Sequence, residues 1–206
     1  LLIPFFADPT LARLDQLIHF GDPWRALHIV LPRWLDYPLF VLYSVLWFVE
    51  LTVTIVIASM LASRFSRERY FTALVLSVIV LSSPVRLLGS SVGPIFYDRI
   101  IGDGRFADLM AVLSANPSGP DLMRITDYLF NSYATNTMVM GTGIAAFPSL
   151  HVALAFLNAL FLSSLSRGLG YFAWMYFGII LFGSIYFGWH YALDGYISIL
   201  VVAVLW

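Results

Sequence analysis

The sequence predicts an all-α protein, a polytopic membrane helix bundle. Three observations lead there. The 206 residues are 60% hydrophobic and 17% aromatic, and only 11% charged. Mean hydropathy is +0.86. The apolar residues also gather into runs close to the roughly 20 residues that cross a bilayer as a helix. A soluble domain needs more charge than this to cover its surface. The net charge of -1 gives no sign of a nucleic-acid partner. There is no cysteine, which rules out disulfides, a thiol nucleophile and thiolate metal sites. All eleven cations are arginine, so no mechanism can use a lysine.

The elements follow in order. Leu1-Leu2-Ile3-Pro4-Phe5-Phe6 reads as the tail of another helix. The sequence starts without methionine and ends inside an apolar run. We therefore expect residues 1–206 to be a single membrane-embedded domain truncated at both ends, with a six-helix core whose first helix is largely missing. In residues 7–37, Leu11, Leu14, Leu17 and Ile18 oppose Arg13, Asp15 and Gln16, the pattern of an amphipathic helix lying on the interface. Residues 38–62 form the first full span. Residues 71–93 form the second, broken late by Pro84, Gly89 and Gly93. The connection 94–147 holds two helix-like stretches, about 105–115 and 121–134, the second with a Leu122, Ile125, Leu129 stripe. Connections this long usually serve a function. Further spans run from Pro148 to Leu165, from Gly170 to Phe187, and from near His190 to Trp206.

Short loops set the orientation. Arg64, Arg67 and Arg69 join the first two spans, and Arg167 lies between the third and fourth. The positive-inside rule makes that face cytoplasmic. Arg13, Arg25 and Arg33 fall on the outer side, where Asp8, Asp15, Asp22 and Asp36 offset them.

Several polar residues stand out on the outer side. Pro148-Ser149-Leu150-His151 opens a helix, whose free N–H groups and dipole suit an anion. Gly141 and Gly143, just upstream, allow close backbone approach. The plainer reading is a proline-capped helix with an interfacial histidine. His190 and Asp194 have i, i+4 spacing, so the carboxylate can hold one imidazole nitrogen and leave the other for chemistry. The plainer reading there is an ion pair tying two helices. Arg86, late in the second span, needs a partner or an anionic ligand unless it snorkels to the interface. Tyr97, Arg99 and Arg105 can add phosphate donors, or pair with Asp98, Asp103 and Asp108. Glu50, inside the first span, reads as a helix-packing hydrogen bond.

This pattern resembles the type 2 phosphatidic acid phosphatase superfamily of membrane enzymes, whose motifs are K-x6-R-P, P-S-G-H and S-R-x5-H-x3-D. The second matches at Pro148, Ser149 and His151, with Leu150 for glycine. The third matches at His190 and Asp194, with Gly183 and Ser184 for serine and arginine. The first matches in spacing, with Arg86 for lysine, Gly93 for arginine, and Pro94. The P-S-L-H and H-Y-x-x-D variants look nearest the inositol phosphorylceramide synthase-like branch.

The resemblance implies a lipid-phosphate phosphatase or phosphotransferase. His190 would be the nucleophile, Asp194 its orienting carboxylate, and His151 the group that protonates the leaving oxygen. Arg86, Ser149, Tyr97 and Arg99 are the expected phosphate-binding residues, with no cofactor and no metal. The expected partners are a lipid phosphate and the membrane; no protein partner is identified. The expected location is a bacterial inner or plasma membrane, with the site facing the periplasm or exterior. Three alternatives stay open: phosphoinositol or phosphosugar transfer to a lipid or sugar alcohol, a zinc enzyme using His151, His190 and Asp194, and a non-enzymatic lipid-phosphate binder or transporter.

Overall fold

The structure is a computed structural model and describes residues 4–137 and 143–206. Among these, every regular element is helical. An outer segment comes first: α1 (Asp8–Ile18), α2 (Pro23–Val30) and a 3₁₀ turn (Arg33–Leu35). Next come α3 (Asp36–Ser44), α4 (Leu46–Met60) and α5 (Arg64–Val80), then a π turn (Leu81–Val85) leading into α6 (Arg86–Leu88). A second outer segment holds α7 (Pro94–Ile100), α8 (Ala107–Ala115) and α9 (Gly119–Ala134). The chain finishes with α10 (Leu150–Leu165), α11 (Arg167–Tyr186) and α12 (Ala192–Leu205).

Among the described residues, two helices are long and apolar enough to cross a membrane: Arg64–Leu88, which runs unbroken through the π turn, and Arg167–Tyr186. There are three if α3 and α4 count as one span, bent by 41°. Helices α10 and α12 are apolar but shorter, at 16 and 14 residues. The π turn contains Pro84, which has no N–H and whose ring crowds the preceding turn, so the helical ladder widens there.

Helix α10 is the axis of the bundle, packed by α11, α12, α5 and α4. Its buried Ala153, Ala155 and Ala159 let neighbouring backbones approach closely. Asn158 donates to both oxygens of Glu50 at 3.0 and 2.9 Å and accepts from the Tyr70 hydroxyl at 2.8 Å. This network joins α10 to α4 and α5, and gives Glu50 the helix-packing role expected from the sequence. Arg69 donates to the Trp206 carbonyl, placing the start of α5 beside the end of α12. The arginine loops and the histidine motifs therefore occupy opposite ends of the bundle.

The boundaries differ from the sequence reading in several places: the first span is α3 and α4 with a 41° bend, the second ends at Leu88, and α11 begins at Arg167. Helix α5 takes in Arg64, Arg67 and Arg69, because Ser63 caps it by accepting from Ser66 N–H. Helix α10 starts at Leu150 with Ser149 as N-cap, so Pro148 lies just outside it. The last helix starts at Ala192, which leaves His190 in the preceding turn. Pro4–Phe6 are not helical, and Leu1, Leu2 and Ile3 lie outside the described residues.

Helix α1 packs Leu11 on the core and turns the rest of the expected stripe outward, beside the exposed Arg13 and Gln16. Leu14, Leu17 and Ile18 are exposed, while Asp8, Ala12 and Asp15 are buried against the bundle. A lipid interface suits this arrangement, since the apolar stripe faces away from the protein.

Candidate active site

Three helix ends meet under the outer segment: the start of α10, the end of α11 and the start of α12. The first presents His151. The turn between the other two presents His190, and the first turn of α12 presents Asp194. The His151 and His190 rings lie 6.4 Å apart, centroid to centroid. Both line one cavity of about 540 Å³, along with Tyr43, Phe48, Phe96, Trp189 and residues 143–146. His151 stacks on Tyr43 and leans on Trp47, with centroids 5.3 and 4.2 Å away, so aromatic packing fixes its ring.

His190 Nδ1 is 3.4 Å from Asp194 Oδ2. Among the described residues, neither His190 Nδ1 nor Asp194 Oδ1 has a hydrogen-bond partner. Asp194 Oδ2 also accepts the Tyr191 N–H at 3.1 Å, closing a capping box at the start of α12. One carboxylate thus caps the helix and faces the imidazole. Asp194 is fully buried, and His190 is 8% exposed.

Ser149 is buried and caps α10 through the Val152 N–H at 3.4 Å. Tyr97 is buried and donates to Asp103 at 3.1 Å. Arg99 pairs with Asp127 at 2.6 Å and lies over the Phe130 ring. Arg105 bonds the Ala12 carbonyl and lies 3.6 Å from Asp22. Arg86 is half-buried one turn before Gly89, which packs on Phe147 next to the cavity's Pro148. The Arg86 guanidinium has no hydrogen bond or ion pair among the described residues. The structure brings together His151, His190 and Asp194. It leaves Ser149, Tyr97, Arg99 and Arg86 off the cavity wall, and no cationic side chain lines that wall among the described residues. Gly141 lies outside the described residues. Among these, no group of three or more His, Asp or Glu side chains is placed to hold a metal ion.

Two residues of consequence escaped the sequence reading. Asp15 accepts the N–H groups of Ala192 and Leu193 at 3.0 and 3.1 Å. Asp8 accepts those of Val92 and Gly93, and the Tyr191 hydroxyl at 2.9 Å. Burial pushes the Asp15 carboxyl up, and the Asp8 carboxyl up to about 6, against the pull of these donors. The available signal was the i, i+4, i+7 stripe of Asp8, Ala12 and Asp15 on one face of α1.

In comparison with known proteins, the family model described as the PAP2 superfamily matches residues 9–206. No curated protein and no solved structure matches the chain.

Proposed function

The chain belongs to the PAP2 superfamily, and from that premise we propose that it is an integral membrane lipid-phosphate phosphatase or phosphotransferase working through a phosphohistidine. The superfamily supports a phosphatase-type enzyme. The observation that carries the finer reading is the pairing of His151 and His190 across one cavity, 6.4 Å apart, with Asp194 beside His190.

In this reading Nε2 of His190, which neighbours the Ala146 carbonyl, attacks phosphorus while Nδ1 keeps its proton toward Asp194. A P–N bond forms and the P–O bond to the lipid breaks. His151 gives its proton to the leaving oxygen. A water or alcohol then gives its proton to His151 and attacks phosphorus, breaking the P–N bond. The start of α10 supports the phosphate charge through its free N–H groups. The start of α12 is already occupied by Asp15. Phe48, Ile125, Leu129 and Ile144 give the cavity an apolar side for a lipid tail. Arg86 is the cation proposed for the substrate phosphate, one turn before Gly89, which packs on Phe147.

The finer topology belongs to the same proposal: α10 and α12 complete a bundle of five helices crossing or entering the membrane, as in a six-helix core. The arginine-loop end faces the cytoplasm and the cavity faces the periplasm or exterior of a bacterial cell. Transfer to a lipid or sugar alcohol, as in the inositol phosphorylceramide synthase-like branch, uses the same residues with a different acceptor. A non-enzymatic lipid-phosphate binder is the second reading, and the lack of a cationic side chain on the cavity wall among the described residues favours it.

The test is purified protein offered a panel of lipid phosphates, with and without alcohol acceptors, with released phosphate and new lipid both measured. Phosphate release is expected for the phosphatase and a new phosphodiester for the transferase. Binding without turnover across the panel supports the binder instead.

A further inference from the structure

We propose that the interfacial helix α1 is the positioning element of the catalytic turn, with Asp15 and Asp8 holding the His190–Asp194 segment in place against His151. The proposal rests on the reading above that His190 and Asp194 carry the reaction.

Three residues separate His190 from Asp194, and all three are bonded to α1. Tyr191 donates its hydroxyl to Asp8 at 2.9 Å. Ala192 and Leu193 donate their backbone N–H groups to Asp15 at 3.0 and 3.1 Å. These are the first two residues of α12, whose N–H groups have no acceptor within the helix. A carboxylate there also opposes the positive end of the helix dipole. The other hydrogen bonds of Asp8 go to Val92 and Gly93. Val92 lines the cavity, and Gly93 packs on the carbonyl of Trp189, the residue before His190. His19, at the end of α1, bonds Tyr196 one turn further along α12 at 2.9 Å.

The placement is specific. Asp8 is fully buried and Asp15 is 4% exposed, yet neither is paired with an arginine. Buried carboxylates are costly unless their acceptors are filled. Here the donors that fill them come from the catalytic turn, the loop beneath it and the N-cap between the two. Asp194 is held the same way, by the Tyr191 N–H. The His190–Asp194 geometry is therefore set partly from outside α12, by a helix lying at the membrane surface.

The test uses the protein in detergent micelles, comparing wild type with Asp15→Asn and Asp15→Ala. Kinetics on a lipid phosphate and hydrogen–deuterium exchange are measured on the same samples. Asparagine keeps one acceptor for two donors, and alanine keeps none. The expected result is a graded loss, with kcat about tenfold lower for asparagine and about a hundredfold lower for alanine, and KM within about twofold. Peptides covering 188–195 should exchange faster in the same order, while α10 stays protected. Unchanged exchange at 188–195 overturns the proposal, as does faster exchange there with unchanged kcat. An even loss of protection through α10 also overturns it, since that marks a purely structural role. If wild type turns over no lipid phosphate, the phosphatase reading fails by itself. The exchange data then still decide whether α1 holds the turn.

Discussion

Gly93 packs directly on Trp189. A Cβ built on Gly93 would overlap the Trp189 carbonyl oxygen, and the Gly93 φ of +78° lies where side chains are strained. Two residues on, Ile95 donates its N–H to the Gly188 carbonyl at 2.8 Å. The family motif has arginine where this chain has Gly93, and this contact leaves no room for one. Gly93→Ala is expected to cost about 2–3 kcal/mol and to lower activity by shifting the segment before His190. Gly93→Arg should be worse, not a gain of function. Thermal unfolding and turnover check this, and wild-type values in Gly93→Ala would contradict it.

Arg86 is the cation left for the substrate phosphate. It stands one turn before Gly89, the residue that packs on Phe147, and its guanidinium has no hydrogen bond or ion pair among the described residues. Arg86→Ala should raise KM or reduce kcat/KM by about ten- to a hundredfold, the loss of one charge-assisted hydrogen bond at about 1.5–3 kcal/mol. Its melting temperature should hold. Wild-type kinetics in the variant would mean that Arg86 only snorkels to the interface.

These two positions also mark what a sequence can and cannot reveal. The apolar runs and Glu50 as a packing residue are visible because helical period is local. The approach of His190 to Asp194 is not a contact along one helix face, since His190 lies in the turn before α12. The stacking of His151 on Tyr43 and Trp47 is not visible either, since those rings arrive from α3 and α4. Asp8, Asp15 and Asp36 looked like counter-charges for Arg13, Arg25 and Arg33. In the fold they accept backbone N–H groups far along the chain; Asp36, for example, takes that of Ser118 at 2.7 Å. A backbone donor carries no side-chain signature, so such a bond leaves only a polar stripe on the acceptor's helix.

Asp8 gives a pH prediction. Burial raises its carboxyl from an ordinary value near 3.8 to about 6 in the folded protein. The folded state therefore holds this proton more tightly than the unfolded state does. The stabilisation is fully present below about pH 4 and is lost as pH rises through about 6. Asp8→Asn, which does not titrate, lacks this component. The melting temperature of wild type relative to Asp8→Asn should fall between pH 4 and 7, by about 1–3 kcal/mol in equivalent stability. A difference that stays constant with pH would contradict the assignment.

His151 is assigned to the leaving oxygen, so its loss should matter least when that oxygen leaves easily. His151→Ala should lose about 10²–10⁴-fold in rate on an alkyl lipid phosphate and markedly less on an aryl phosphate. Equal losses on both would remove His151 from proton transfer.

The central claim is that His190 carries the phosphoryl group, and its most direct measurement is trapping. Wild type, His151→Ala and His190→Ala are mixed with a labelled phosphate donor, quenched in alkali, and assayed for phosphate on the protein that acid releases. Label is predicted on wild type at His190, retained or enriched in His151→Ala with an aryl donor, and missing from His190→Ala. Turnover by wild type with no trapped label, or label that persists in His190→Ala, would contradict the account.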